Sequence, residues 1–409
     1  MWRKIVKLGW RNLFRNKRRS ILSAVSIGVG LTALIFVDAV IAGLQVNMVE
    51  AATGTYLGHA QIHREGYGET MELEQTIHRS DGLLADLSEA AVVEAFAPRV
   101  QGYAMLTSPA NARAVSLVGI DPGREPAISK IDEAIRRGEY LGPQGERQLM
   151  IGDELAEDLE VELGDRLVVT VAQAGSGELY QEMFRLSGIY RIGAEEMDKG
   201  MAFVRVAKAQ QMFGLDDRFH EIAVRFSDAQ LGNDPRLAFW ERFSRHGNQA
   251  EGWPDLVPQL QAMFDMSAFS TLIMGVILFG IVVFGIINTL FMAIYERTFE
   301  FGVLRAVGTR ARAVAGLIVS EAAALAAISI VLGIILSLAV VAITRWTGID
   351  YTGIEISGVT IREPLKPILS VSQFLIYPPS VFLLTTLVGL YPAVYAARLK
   401  PADALSRSF

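Results

Sequence analysis

Long apolar runs alternate with polar stretches along the chain, and four of the runs are long enough to cross a membrane. A transmembrane α-helix needs about 20 predominantly apolar residues to span a hydrocarbon core of about 30 Å. Each run exceeds that length and carries at most one charge. The pattern therefore predicts a membrane protein with four transmembrane α-helices, at residues 21–44, 267–295, 313–343 and 374–397.

The large region between the first two runs, residues 45–266, has a different pattern. Strand-like alternation or β-branched runs occur at 59–63, 113–118, 166–172, 184–190, 201–206 and 221–226. Helical patterns occur at 80–95, 132–137, 153–159, 207–213 and 235–245. Short elements of both kinds in mixed order predict an α+β domain with antiparallel strand pairing, rather than a doubly wound sheet.

Charge is distributed unevenly along the chain. Residues 1–20 carry eight bases and no acid, and both 296–312 and the tail 398–409 are net basic. Residues 45–266 hold 36 acids against 20 bases. Since segments rich in Lys and Arg stay on the cytoplasmic side, we expect both termini and 296–312 inside, with 45–266 and the loop 344–373 outside.

The first 20 residues also have the pattern of an amphipathic helix. Trp2 and Leu13 fall on an apolar side, while Lys4, Lys7 and Arg11 step by three or four residues along another. Such a helix lies in the headgroup layer with its bases toward anionic membrane lipid. The alternative is a basic cluster that only sets the orientation of the first transmembrane helix.

The sequence contains no established catalytic motif and only weak candidates for a metal site. The chain has no phosphate-binding Gly-x4-Gly-Lys-Ser/Thr loop, no His-Glu-x-x-His and no Gly-x-Ser-x-Gly. His59, His63 and His78 would suit a metal, but two solvated histidines on an outer strand explain the pattern more simply. The remaining candidate is an acidic cluster without a calcium-loop pattern, expected to be a solvated helix: Glu154, Glu157, Asp158, Glu160, Glu162 and Asp165.

Two acids and two glycines stand out within the apolar runs. Asp38 lies near the outer end of the first run, where we expect an interfacial acid, and Gly28 and Gly30 would let neighbouring helices approach closely. Glu321 lies about two turns inside the third run, and an ionisable group there is costly unless it has a partner. We expect that partner to be an arginine of the preceding loop, Arg310 or Arg312, or else polar groups of a neighbouring helix. The alternatives are a structural or coupling ion pair and a proton or substrate role.

The segment that follows the second apolar run is short, charged and amphipathic. Phe299, Val303 and Ala306 recur at helical spacing, and Gly308 is placed to end the helix in a left-handed conformation. We expect Gly302 on the same face, where its missing side chain would let a partner approach closely. Because the second membrane helix leads directly into this short helix, movement of the short helix could be transmitted to the membrane helix.

This segment resembles the one after the second helix of MacB/FtsX/LolCE-type ABC transporter permeases. That family has the order Glu-Arg-x-x-Glu-[Ile/Phe]-Gly-x-Leu-Arg-Ala-[Leu/Val]-Gly. The matching residues are Glu296, Arg297, Glu300, Phe301, Gly302, Leu304, Arg305, Ala306, Val307 and Gly308. The opening at 8–20, the acid Glu321 and the close at 392–405 also resemble the family, and stretches within 118–165 are similar to its MacB-like periplasmic domain.

The resemblance implies a half-transporter in a bacterial inner membrane. Such a subunit pairs with a second permease, identical or different, and with a dimer of ATPase subunits that hold ATP and Mg. No cofactor is expected in this chain, nor a nucleic-acid partner. The implied coupling helix, which lies in a groove of the ATPase, contains Glu296, Arg297, Phe299, Glu300, Gly302, Val303, Leu304, Arg305, Ala306 and Gly308.

Three functions fit this resemblance. The preferred one is mechanical coupling of ATP hydrolysis to the periplasmic domain for release of lipoprotein or other lipidated or amphipathic cargo, as in the LolC/LolE branch. The alternatives are a MacB-like efflux permease and an FtsX-like regulator of a periplasmic hydrolase. The sequence leaves the cargo open.

Overall fold

The structure, a computed structural model, describes residues 2–13, 15, 17–142, 145–350, 355–356, 359–360 and 364–398. Its α-helices are α1 (Trp2–Leu13), α2 (Lys17–Ala52), α3 (Tyr67–Thr70), α4 (Ser80–Ser88), α5 (Asp153–Asp158), α6 (Glu195–Gly200), α7 (Val206–Phe213), α8 (Ala238–Phe243), α9 (Trp253–Leu256), α10 (Pro258–Glu296), α11 (Thr298–Ala306), α12 (Ala311–Thr347) and α13 (Val371–Ala397). A π-helix, Thr53–Leu57, directly follows α2, and two 3₁₀ turns cover Glu125–Ala127 and Ala229–Asn233.

The strands are β1 (Ala60–Arg64), β2 (Val93–Thr107), β3 (Ala112–Ile120), β4 (Ile135–Gly138), β5 (Gln148–Gly152), β6 (Arg166–Ala172), β7 (Leu179–Tyr190), β8 (Met201–Arg205), β9 (Glu221–Phe226), β10 (Asn248–Gly252), β11 (Glu355–Ile356) and β12 (Val359–Thr360).

The chain divides into two compact units. One contains Met1–Gln45, Phe264–Asp350 and Pro364–Phe409, and the other Val46–Met263 and Tyr351–Glu363.

The first unit contains the membrane helices. Four helices, α2, α10, α12 and α13, are long and apolar enough to span a bilayer, which confirms the four predicted from the apolar runs. Several of them are longer than those runs, because polar residues at a run's ends continue the helix outside hydrocarbon. The N-terminal helix expected over 1–20 is shorter, since α1 ends at Leu13 and α2 begins at Lys17. The side chains of residues 2–7, on which the predicted amphipathic faces depend, lie outside the described part.

Small residues bring the membrane helices together, as predicted for Gly28 and Gly30. A Cβ on Gly28 would lie 3.2 Å from the carbonyl oxygen of Ser329 on α12, and Thr32 donates a hydrogen bond to the carbonyl of Gly333 at 3.1 Å. A Cβ on Gly30 would collide with Val282 on α10. The missing side chains therefore set how closely α2 packs on its neighbours.

The second unit is built on a mixed, mainly antiparallel sheet of ten strands, which confirms the predicted α+β class. Six of the strands close into a ring through consecutive pairings: β2 with β3, β3 with β8, β8 with β5, β5 with β7, β7 with β6, and β6 with β2. Apolar side chains from all six strands form one core, which α5 and α7 also contact. On the other side of β2, the sheet continues through β9 and β1 to β10.

Two helix predictions in this unit are wrong. Residues 132–137 form a turn followed by β4, which pairs with β7. The helix expected over 80–95 ends at Ser88, and β2 begins at Val93. In both places, hydrogen bonds to strands distant in sequence outweigh a weak local helical pattern.

Candidate functional site

The site is centred on α11, the short helix after α10. The chain leaves α10 after Glu296 and turns at Arg297, and α11 starts at Thr298, so the helix covers only part of the segment 296–312 assigned to it. At its end the amide of Gly308 donates to the carbonyl of Arg305 at 3.1 Å, and the amide of Thr309 donates to the carbonyl of Leu304 at 3.0 Å. Gly308 has φ +97°. This is the left-handed helix end predicted from the sequence, and that prediction is confirmed.

One side of α11 is buried within the chain itself. Phe301 is 1% exposed and belongs to a small core with Ile294, Val314 and other apolar side chains of α12 and α13. Gly302 is buried beside it. The expectation that Gly302 faces a partner is therefore wrong.

The other side of α11 is exposed and apolar. Phe299 is 50% exposed, Val303 and Leu304 are each 39% exposed, and Val307 is 82% exposed. Ala306 is also exposed. We call these five residues the open face of α11. An apolar stripe on a helix indicates a surface that another element covers.

A series of ion pairs connects α11 to its neighbours, from a buried pair with α12 to a half-exposed pair with Arg15. Arg297 donates from Nη1 to Oε2 of Glu321 at 2.9 Å and from Nε to Oε2 of Glu300 at 3.0 Å. Glu300 in turn accepts from Nη2 of Arg15 at 2.6 Å. Arg297 also lies over the ring of Phe301, with 5.1 Å from its guanidinium carbon to the ring centre. The series of ion pairs thus joins the segment before α2, the helix α11 and the membrane helix α12.

This arrangement corrects the expected partner of Glu321. The prediction placed Arg310 or Arg312 beside the carboxylate, whereas the bonded arginine is Arg297 at the start of α11. The ion-pair alternative is therefore the one that the geometry favours. Nothing in the sequence pattern pointed to Arg15, because its contact with Glu300 joins residues 285 positions apart.

The electrostatics of Glu300 follow from its two arginines. Partial burial acts to raise the pKa of its carboxyl, but hydrogen bonds from Arg15 and Arg297 outweigh this and lower the pKa. Glu300 is therefore ionised at neutral pH and remains a permanent bridge between the two guanidinium groups. At the far end of α11, Arg305 donates from Nη1 to the carbonyl of Thr309 at 3.1 Å and supports the glycine turn.

Asp38 has a protein partner. It is half-buried, and its side chain forms a hydrogen bond with Tyr377 of α13. This contact joins α2 to α13 within the first unit. The expected interfacial acid is therefore a helix-to-helix contact as well.

The other chemical candidates lie in the second unit, and their described residues form no cluster that could hold a metal ion. His59 and His63 are buried, not solvated, since β1 lies between β10 and β9 and is not an outer strand. The Nδ1 atom of His59 accepts from the amide of Phe226 at 3.1 Å. Among the acids, Glu154 pairs with Lys199 at 3.2 Å.

Two family models match the chain. The MacB-like periplasmic core domain matches residues 20–232, and the FtsX-like permease C-terminal region matches residues 272–401. The first match alone covers just over half of the 409 residues, and the second contains all of α11 and α12. The chain belongs to the MacB/FtsX-type ABC transporter permeases. The resemblance found in the sequence is confirmed, and α11 of this permease is the segment that carries the family's motif.

Relatives of the permease point to one branch of this family. It is 26% identical over 325 residues to "Lipoprotein-releasing system transmembrane protein LolC" of Neisseria meningitidis serogroup B, which covers 74% of this chain and 73% of the relative. It is 24% identical to the corresponding LolE protein of Haemophilus influenzae, with 94% and 93% covered. A solved structure, the periplasmic region of MacB from Actinobacillus actinomycetemcomitans, matches 51% of this chain and 94% of its own at 12% identity and a TM-score of 0.35.

Proposed function

We propose that this permease is coupled through α11 to a separate ATPase, and that it releases lipidated cargo from the membrane. The observation that carries the proposal is the two-sided character of α11. Its buried side is fixed to α12 by the pair Arg297–Glu321, while its open face remains apolar and exposed. A helix fixed on one side and open on the other can transmit a push as a rigid body.

The open face suits a groove on an ATPase subunit. Val307 and Phe299 expose large apolar surfaces at the ends of the helix, and burying apolar surface contributes about 25 cal/mol per Å². Arg305, in the last turn of α11, and Arg310, just before α12, would meet carboxylates at the groove edge. ATP and Mg would be held by the ATPase, whose dimer would meet one such helix from each of two permease subunits.

Lipidated cargo follows from the relatives in the LolC/LolE branch, whose names describe lipoprotein release. In the proposed arrangement, the permease lies in a bacterial inner membrane, both termini are cytoplasmic and the MacB-like domain is periplasmic. The acidic balance of that domain and the basic segments at 1–20 and 296–312 support this orientation. A second permease subunit would complete the transporter.

The test is reconstitution. The permease is purified from its native membrane with the ATPase that binds it, and placed in liposomes with a fatty-acid-labelled lipoprotein. We expect ATP to be hydrolysed and labelled lipoprotein to leave the liposomes only when ATP is present. If ATP is hydrolysed but an unlipidated soluble compound is moved instead, the efflux alternative is correct. If no ATPase binds, the coupling proposal fails.

Orientation is tested separately with protease. Residues 216–248 include exposed loops of the second unit, so protease added to spheroplasts should cleave there. Cleavage in inside-out vesicles only would show that the domain is cytoplasmic and would contradict the proposed topology.

A further inference from the structure

A buried arginine of the second unit holds the end of the first membrane helix. Helix α2 continues without interruption into the π-helix Thr53–Leu57, which ends at Gly58 with φ +77°. The last carbonyls of a helix have no partner within the helix. Here the carbonyl of Tyr56 accepts a hydrogen bond from Nη2 of Arg99 at 2.7 Å.

Arg99 contacts the aromatic ring of the same residue. Its guanidinium carbon lies 4.0 Å from the centre of the Tyr56 ring, a cation–π contact in a fully buried setting. Tyr56 itself belongs to a core with Val118, Ile120 and Phe203. Both the backbone and the side chain of Tyr56 are therefore attached to the sheet.

Two carboxylates fix the guanidinium in place. Glu125 accepts from Nη2 of Arg99 at 2.6 Å and from its Nε at 3.1 Å, while Glu221 accepts from Nη1 at 2.8 Å. Arg99 and Glu125 are entirely buried, and Glu221 nearly so. The planar fork of arginine serves these partners and the Tyr56 carbonyl at once, which the single ammonium of lysine could not do.

Three charged side chains buried together, Arg99, Glu125 and Glu221, are more than the stability of a sheet requires. They place one cation and two acids inside the sheet, where an apolar replacement of similar volume is often equally stable. The members of this cluster come from β2, β9, the 3₁₀ turn at Glu125 and the end of the helix that follows a membrane span. A helix held in this way cannot slide or rotate against the sheet without breaking several buried charged hydrogen bonds.

We propose that Arg99 is a positioning residue that makes the end of α2 and the sheet of the second unit move as one piece, and that cargo release depends on this connection. The link between the connection and release rests on the proposed function. The rigidity of the connection does not, so the two can fail separately.

The experiment compares two matched variants of the full chain. In the first, Arg99→Met, Glu125→Gln and Glu221→Gln are combined, which removes every charge of the cluster while keeping its volume. In the control, Arg113→Met and Asp158→Asn remove an ion pair of 3.2 Å between half-exposed side chains elsewhere in the same unit. Thermal unfolding identifies which preparations are folded, and Arg99→Lys is the additional variant should the triple one fail to fold.

The first measurement is local motion. The chain has no cysteine, so Gly54→Cys provides a single labelling site in the π-helix, where a Cβ meets no atom within 4 Å. We expect a spin label there to become at least threefold more mobile in the cluster variant, or in Arg99→Lys, and to be unchanged in the control. An equally immobile label would overturn the proposed connection, and this measurement needs neither ATPase nor cargo.

The second measurement is coupling. In liposomes with ATPase, we expect the cluster variant to hydrolyse ATP at the wild-type rate but to release at least tenfold less lipoprotein per ATP. Unchanged release per ATP, together with a mobile label, would overturn the role of Arg99 in release. A wild-type complex that releases no lipoprotein would instead contradict the proposed function.

Discussion

The guanidinium of Arg297 donates to the carboxylate of Glu321 at 2.9 Å, and both side chains are about nine-tenths buried. Arg297 immediately precedes the short helix α11, and Glu321 lies in the membrane helix α12. Arg297 also donates a hydrogen bond to Glu300 at 3.0 Å, so this one guanidinium connects two carboxylates that come from the two helices.

Removing the carboxylate of this pair should weaken the permease without preventing expression. Glu321→Gln leaves Arg297 buried with only Glu300 as a counter-ion, and loss of one partner of a buried pair costs roughly 3–5 kcal/mol. Because Glu300 remains, we expect the lower end of that range, measured as a lower midpoint of unfolding in detergent. ATP-coupled activity should fall as well.

A double variant tests whether the loss of stability comes from the unpaired charge of Arg297. Arg297→Met with Glu321→Met removes both charges, so it should be more stable than Glu321→Gln alone if the cost comes from an uncompensated cation. A double variant that is less stable than either single change would contradict this account.

A charge on the open face of α11 should block ATPase binding while leaving the permease folded. Val307 is 82% exposed, so Val307→Asp should change unfolding stability by less than about 0.5 kcal/mol but lower ATPase binding at least tenfold. Binding is measured by pull-down from detergent solution. Val307→Leu, which preserves the apolar surface, is the matched control, and equal binding by both variants would remove α11 from the interface.

Gly302→Trp should weaken ATPase binding by destabilising the permease rather than by changing the open face. Gly302 is buried within the chain, where a large side chain would collide with neighbouring atoms and displace the helix. Overpacking of this kind typically costs about 1–3 kcal/mol. We therefore expect a lower unfolding midpoint together with weaker ATPase binding. Weaker binding at unchanged stability would instead place Gly302 on the docking face.

The turn after α11 should tolerate only glycine. At φ +97°, a Cβ on Gly308 is strained, and left-handed backbone costs an L-residue roughly 1–2 kcal/mol. Gly308→Ala should lower the unfolding midpoint and weaken ATP coupling. Gly275→Ala in α10, where a Cβ meets no atom within 4 Å, is the control and should be neutral or stabilising. Equal effects from the two changes would show that the turn is not the cause.

The stability of the second unit should depend on pH through His63. Burial alone lowers the pKa of His63, but hydrogen bonds to Glu251 at 3.1 Å and to the carbonyl of Arg64 outweigh it, so the pKa is raised. Because the pKa of His63 is higher in the folded state, its protonation stabilises the fold. This stabilisation is complete at pH values below the unfolded-state pKa of about 6.5, and it is lost as the pH rises through the folded-state pKa.

The matching experiment uses Glu251→Gln and measures unfolding from pH 5 to pH 9. The difference from the wild type should be largest below about pH 6.5 and should shrink at alkaline pH. His59 and His220, whose pKa values burial lowers, act in the opposite direction but equally in both proteins. A difference that is constant with pH would show that His63 does not titrate against Glu251.

Some features of the permease follow from local sequence alone. Four apolar runs determine the membrane helices, because hydrocarbon forces every backbone group into hydrogen bonds within its own helix. Gly308 determines the end of α11, because only glycine readily takes its backbone conformation. The strands β3, β6 and β9 are likewise visible as runs of alternating or β-branched residues.

Other features were decided only by contacts between residues distant in sequence. The strand β2 was missed because it contains Pro98 and Gly102 and depends on pairing with β9, β3 and β6. Helical spacing in the sequence predicts α11 but does not show which side of it is buried. The contact of Phe301 with apolar side chains of α12 and α13 decides this. The partner of Glu321 was misjudged for the same reason. An ion pair forms between the groups that packing brings within about 3 Å, and the sequence gives no distance between residues 24 positions apart.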